Sequence, residues 1–175
     1  TSNTVVSGAT LDVDGVITGT VIVNSGGVLS GTSTTPGVNG RVTSTVTVNT
    51  GGALSPGNSP GIINSGNLNL NAGSTFTVEV DDDNTSDPLM SPPGATAGID
   101  YDQVQVTGTV SIGTTAVLNL ADLGSTGFNA RDVYTIISND GSDAIVGDFG
   151  SVTGGVDVNG GDVNNGDLIT LGGQT

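Results

Sequence analysis

The residues in this sequence that are best suited to chemistry are carboxylates. Asp100 and Asp102 flank Tyr101, and paired carboxylates hydrolyse glycosidic bonds when their separation is suitable. The alternative is that Tyr101 packs where the inserted loop re-enters the helix. Sugar-cleaving grooves also need aromatic platforms, and the chain has only two Tyr and three Phe. We therefore favour the packing interpretation and predict no catalytic residue and no enzyme activity.

Two groups of acids have the oxygen ligands that calcium prefers. They are Asp81, Asp82, Asp83 and Asp87 in the first group, and Asp157, Asp162 and Asp167 in the second. Consecutive Asp side chains in the first group point apart, and no Glu closes an EF-hand loop in the second group. The alternative is therefore a set of solvated acidic turns. Calcium is the one cofactor that these residues suggest, and the sequence predicts that none is required.

The remaining inventory excludes several classes of protein. The chain has no Cys and no His, and Arg41 and Arg131 are its only basic residues against 17 acids, for a net charge of -15. Without His the chain cannot form a Ser-His-Asp triad, and without Cys it cannot form a zinc finger or a disulfide. Nucleic acid and anionic lipid both need positive groups, so we predict no nucleic-acid partner. No stretch approaches the ~20 apolar residues of a membrane helix, so we predict no direct membrane insertion.

An internal repeat must position all of these residues. Residues 20–30 and 45–55 align over their whole length, a third copy occupies 67–77, and a weaker fourth copy occupies 109–119. Each copy reads apolar-x-apolar, then small polar residues with Gly, then apolar-x-apolar. Each half alternates with period two and therefore predicts a short strand with one buried face. The Gly and Asn residues between the halves tolerate positive φ and indicate a sharp corner.

One coil of this kind cannot bury its apolar face, but a stack of coils can. The repeat therefore predicts an all-β fold, a right-handed parallel β-helix with one long inserted loop. An antiparallel sandwich is the alternative, although it has no reason to repeat a corner in register. We predict a single domain over residues 1–175, with repeat-like coils at about 1–80 and 99–120. The inserted loop occupies 81–98, and less regular coils occupy 121–175, with strands at 133–137, 145–146, 156–158 and 168–171.

Several strings in the sequence resemble the autotransporter-associated β-strand repeat of bacterial surface proteins. They are Leu-Ser-Pro-Gly-Asn-Ser-Pro-Gly at 54–61, Gly-Asn-Leu-Asn-Leu at 66–70, Gly-Ser-Thr-Phe-Thr-Val-Glu-Val at 73–80, Tyr-Asp-Gln-Val-Gln-Val-Thr-Gly at 101–108 and Tyr-Thr-Ile-Ile-Ser-Asn-Asp-Gly at 134–141. The resemblance covers about residues 20–150. It implies a right-handed β-helix exposed outside the cell, with a structural, spacer or adhesive role and no shared catalytic site.

Three functions follow as expectations. The first is a non-catalytic structural or adhesive module on the bacterial surface or outside the cell, with a host-surface or matrix glycan or protein as its partner. The second is a subunit of an extracellular filament, sheath or surface layer, because strand edges without caps allow head-to-tail stacking of copies. The third is a polysaccharide-degrading β-helix enzyme, which would lose its activity in Asp100→Ala or Asp102→Ala.

Overall fold

The fold is a stack of six coils of short β-strands. The computed structural model describes residues 2–31, 40–57, 59–81, 95–123, 134–141 and 143–154. In chain order, the coils contain β1 (Thr4–Val6), β2 (Thr10–Asp12) and β3 (Val16–Ile17); β4 (Val21–Val23), β5 (Val28–Ser30) and β6 (Arg41–Val42); β7 (Val46–Val48), β8 (Ala53–Leu54) and β9 (Ile62–Ser65); β10 (Leu68–Leu70), β11 (Thr75–Val80) and β12 (Gln103–Val106); β13 (Val110–Ile112), β14 (Val117–Asp122) and β15 (Ile137–Asn139); and β16 (Ile145–Val146) and β17 (Ser151–Gly154). These described ranges contain no helix.

Corresponding strands of successive coils form three sheets. The first sheet has the order β1-β4-β7-β10-β13-β16, the second β2-β5-β8-β11-β14-β17, and the third β3-β6-β9-β12-β15. Every pair of named strands is parallel. The chain is therefore a parallel β-solenoid, as the repeat predicts, and the antiparallel sandwich is wrong.

The register of the stack follows the sequence repeat residue by residue. Val21 pairs with Val46, Val46 with Leu68, and Leu68 with Val110. These pairs reproduce the spacing between the copies at 20–30, 45–55, 67–77 and 109–119. A parallel, in-register stack places equivalent residues in one column, so the repeat predicted the strand pairing of the first two sheets.

A column of large apolar side chains lines the interior of the second sheet. Leu29, Leu54, Phe76 and Leu118 occupy equivalent positions in four successive coils and have no exposed surface. Burying each such side chain stabilises the fold by roughly 1.5–3 kcal/mol. The core thus consists mainly of aliphatic columns that run along the solenoid. In this column Phe76 is the aromatic member, and it stacks on Phe149 at a centroid distance of 6.2 Å.

A tight corner joins the first sheet to the second in every coil. Three or four residues form it each time, and Gly26, Gly51 and Gly73 occupy it with φ between 73° and 74°. Before these glycines, the Asn49 amide donates to Asn24 Oδ1 at 2.8 Å, and the Asn71 amide donates to Asn49 Oδ1 at 2.7 Å. The sharp corner with Gly at positive φ is as the sequence pattern predicted. The ladder of Asn side chains along the stack was not predicted.

Two features differ from the sequence expectations. The repeat predicted two strands per coil, and the third sheet was not predicted. The number of residues that connect the second strand of a coil to the third differs from coil to coil, as between β11 and β12, so this strand does not stand out in the repeat. The strand predicted at 133–137 is wrong, because β15 begins at Ile137 and ends at Asn139. The strands predicted at 156–158 and 168–171 lie outside the described residues. Within the described ranges, no helix is long and apolar enough to cross a membrane.

Candidate functional site

The corner between the second and third sheets is where the coils differ from one another. In the first five coils, the connection across this corner contains 3, 10, 7, 22 and 14 residues. The other two corners use two to five residues in every coil. We call this variable region the loop corner. In repeat proteins, insertions of this kind gather on one face, which is often the binding face, so the loop corner is the candidate functional site.

Most of the acids that the structure describes lie at or beside the loop corner. They are Asp12, Asp14, Glu79, Asp81, Asp100, Asp102 and Asp122. The outward column at the middle of the first sheet carries none; it consists of Val5, Ile22, Thr47, Asn69, Ser111 and Val146. Among the described residues, the negative charge is therefore concentrated at the edge that carries the insertions.

Asp102 is the best-defined acid of the loop corner. It is fully buried, and it lies immediately before β12, where the longest insertion returns to the third sheet. Its Oδ1 accepts a hydrogen bond of 2.7 Å from the backbone N–H of Gly61, and its Oδ2 accepts one of 2.9 Å from the N–H of Glu79. The carboxylate therefore joins residues that are far apart in sequence, at the edge of the second sheet and the start of the third.

Burial dominates the protonation of this carboxyl. Desolvation raises the pKa of Asp102 from 3.8 to about 7, against the two backbone N–H donors, which lower it by stabilising the charged form. The neighbouring negative charge of Glu79 raises the pKa further. Asp102 thus exchanges its proton near neutral pH while it holds the loop corner together.

Asp100 has a different role from Asp102. Its Oδ2 accepts a hydrogen bond of 2.6 Å from the backbone N–H of Thr96, four residues earlier, which closes a local turn. Both oxygens of Asp102, by contrast, are occupied by backbone donors inside the fold. A glycoside-cleaving pair needs two carboxyl groups facing one substrate bond. In the structure the Asp100 carboxyl group closes a turn, and the Asp102 carboxyl group binds backbone N–H groups inside the fold.

Tyr101 packs where the insertion returns to the coil. Its ring is 4% exposed and meets Tyr134 edge-on at a centroid distance of 5.3 Å. Next to it, the Gln103 amide donates to the backbone oxygen of Thr135 at 2.6 Å and lies 3.5 Å from the Tyr101 hydroxyl. The packing interpretation of Tyr101 agrees with this arrangement, and burial raises the pKa of its hydroxyl.

The calcium interpretation stays a prediction. Of the candidate ligands, Asp81 follows β11, and its backbone N–H donates to the Asp100 carbonyl at 2.7 Å. The others, Asp82, Asp83, Asp87, Asp157, Asp162 and Asp167, lie outside the described residues. The part of the chain that the structure does describe contains no group of three or more carboxylates placed to hold a metal. A melting scan with calcium or a chelator distinguishes a bound ion, which raises the midpoint, from solvated turns, which leave it unchanged.

Three of the strings that carry the family resemblance, at 54–61, 73–80 and 101–108, meet at Asp102. The Gly at the end of the 54–61 string, Gly61, donates to Asp102 of the 101–108 string. Gly57 of the first string lies so close that an added Cβ would approach Asp102 Oδ1 to 2.9 Å. The structural role of Asp102 was not predicted from the sequence, although its place in both the acid pair and the repeat string was the available signal. Comparisons with protein-family models, curated proteins and solved structures found no match.

Proposed function

We propose that this chain is a non-catalytic structural and adhesive β-helix module of a bacterial surface protein, displayed outside the cell. The parallel solenoid fold supports the structural part of the proposal, because its regular rungs make an extended scaffold. The resemblance to autotransporter-associated repeats supports the extracellular location. The absence of Cys fits a bacterial exported protein that must stay unfolded during secretion, because no disulfide can form before export.

The observation that carries the proposal is the contrast between the uniform strands and the variable loop corner. The strands of each coil must match their neighbours in register, because a one-residue slip turns every buried side chain outward. The loop corner has no such constraint, and its connections range from 3 to 22 residues. A scaffold whose strands are uniform from coil to coil and whose loops vary at one edge is suited to presenting those loops to a partner.

The experiment compares attachment with scaffold integrity. We would immobilise the full chain on beads and measure retention on a matrix-coated surface under flow. A variant with residues 82–94 replaced by a short Gly-Ser linker should melt within a few degrees of the parent but lose retention. The control variant, Asn69→Ala, changes the outward face of the first sheet and should retain both properties.

Equal retention after the loop replacement would remove the adhesive role from this loop. Release of reducing ends from a polysaccharide panel by the wild-type chain, abolished by Asp100→Ala, would replace the proposal with the enzyme alternative. The adhesive module predicts no such release.

A filament subunit is the second candidate. The strands β1, β2 and β3 each lie at the end of their sheet, and among the described residues their outer edges have no partner strand. Unpaired edges of this kind accept further strands, and a second copy stacked there would continue all three sheets. Light scattering that shows a concentration-dependent growth in mass supports this candidate, whereas a constant monomer mass contradicts it.

A further inference from the structure

One column of the third sheet, in which the middle residue Asn64 is buried, differs in chemistry from the rest of the solenoid. Strand pairing aligns five residues along it: Val16, Arg41, Asn64, Gln105 and Ser138. We call this column the Arg41 row. Its centre combines a guanidinium with two amides, in a chain whose net charge is -15.

Arg41 is the only basic residue in the described ranges. Its side chain is half-buried, and among the described residues it forms no ion pair. Its backbone N–H donates to the carbonyl of Gly15 at the loop corner. An unpaired, partly desolvated guanidinium retains its preference for a planar oxyanion such as a carboxylate. The Arg41 row therefore has an anion-binding group whose counterion the described part of the fold does not provide.

The amide of Gln105 is oriented by its neighbours. Its Nε2 donates to Gln103 Oε1 at 2.9 Å, and Gln103 Nε2 in turn donates to the backbone oxygen of Thr135 at 2.6 Å. The relay ends on a carbonyl that can only accept, so it fixes the direction of both amides. Gln105 Oε1 is then left as an acceptor for a hydroxyl group, and Gln105 itself is half-buried.

We propose that the Arg41 row binds an acidic oligosaccharide, with one carboxylate on Arg41 and a hydroxyl group of a nearby sugar on Gln105. The two residues lie two strands apart, which is about 10 Å along the solenoid and spans roughly two sugar units. This inference deepens the proposed adhesive function and rests on it, since it names the class of ligand.

The chemistry of the row favours a glycan over an acidic protein. An acidic peptide offers carboxylates but few hydroxyl groups. A sugar acid offers both in each unit, a carboxylate for Arg41 and hydroxyl groups for the amide of Gln105. The aromatic pair of Tyr101 and Tyr134 lies next to Gln103, the residue that orients Gln105.

The test uses the full chain and oligogalacturonate as the probe, with the carboxyl-reduced neutral oligosaccharide as its matched partner. Titration calorimetry should detect binding of the acidic probe that weakens as salt rises. Arg41→Gln should lower this affinity about tenfold or more, because it removes a charge-assisted contact. Arg131→Gln makes the same change of charge elsewhere in the chain and should leave the affinity unchanged. Gln105→Leu should lower it severalfold, and melting curves should show all three variants folded.

The proposal is overturned if the wild-type chain does not bind oligogalacturonate, if the neutral probe binds equally well, or if Arg131→Gln is as damaging as Arg41→Gln. If Arg41→Gln loses binding to a Glu-rich peptide but still binds oligogalacturonate, the row belongs to a protein partner and the proposal is overturned. Retention on the matrix-coated surface is measured in parallel. If Arg41→Gln keeps retention and the wild type does not bind the acidic sugar, the inference fails while the adhesive function stands.

Discussion

The carboxylate of Asp102 accepts a hydrogen bond of 2.7 Å from the backbone N–H of Gly61, across 41 residues of sequence. Its other oxygen binds the N–H of Glu79 in β11. Two consecutive coils are thus fastened to each other at the loop corner by one buried side chain. A backbone N–H that is buried without an acceptor costs free energy, so this carboxylate stabilises the turn at 55–61 and the return of the longest insertion together.

Removing the carboxylate should destabilise the solenoid. Asp102→Ala leaves two buried N–H groups without acceptors, and we expect the free energy of unfolding to fall by about 2 to 4 kcal/mol. Urea unfolding followed by circular dichroism measures the change. Asp14→Ala is the control, because it removes the same charge from an exposed position near the loop corner. A loss no larger than that of the control would contradict the structural role.

Stability should also depend on pH through Asp102. Its pKa is about 7 in the folded chain, against 3.8 for an exposed aspartate. The folded state therefore holds the proton more tightly than the unfolded state does. The contribution of this group is fully present below pH 3.8 and is lost as pH rises to about 7.

We therefore expect the wild-type chain to be more stable at pH 5 than at pH 7.5, by at most about 1.4 kcal/mol per pH unit within this window. Asp102→Asn does not titrate and should show a distinctly shallower pH dependence. The difference between the two slopes isolates Asp102 from the general self-repulsion of the acids. Parallel slopes would show that Asp102 does not carry the effect.

The tight corner between the first and second sheets should tolerate no side chain at Gly52. A Cβ there would lie 2.7 Å from the backbone oxygen of Val23 in the coil beneath, and only a shift of the backbone relieves such a contact. Gly52→Ala should lower the free energy of unfolding by about 1 to 3 kcal/mol. Gly15→Ala is the matched control, since its Cβ would meet nothing within 4 Å. Similar losses in the two variants would contradict the close approach of the coils.

The Asn ladder should contribute to stability through its central member. Asn49 both donates to Asn24 and accepts from Asn71, so Asn49→Ala breaks two side-chain hydrogen bonds. We expect a loss of about 1 to 2 kcal/mol in the free energy of unfolding. Asn69→Ala removes one contact of 3.4 Å to Thr47 and should cost much less. An Asn49→Ala variant as stable as Asn69→Ala would show that the ladder is incidental.

The sequence alone was sufficient for the strand pairing of the first two sheets. Leu54, Phe76 and Leu118 follow alternating patterns at the same point of three copies, and a parallel stack brings equivalent residues into one buried column. Gly51 and Gly73 mark the corner for the same reason, since each copy turns at the same place. Local periodicity and a constant spacing were enough because both are set by neighbouring residues along the chain.

The third sheet and the loop corner were decided by the tertiary structure. Their strands follow connections of 3 to 22 residues, so their spacing from the preceding strand of the second sheet does not repeat from coil to coil. The roles of Asp102 and Arg41 depend on contacts and register across several coils, and residue type alone cannot distinguish a buried carboxylate from a solvated one. The amino-acid sequence therefore determined the strands of the first two sheets, whereas only the stacking of the coils decided the contacts of side chains such as Asp102 and Arg41.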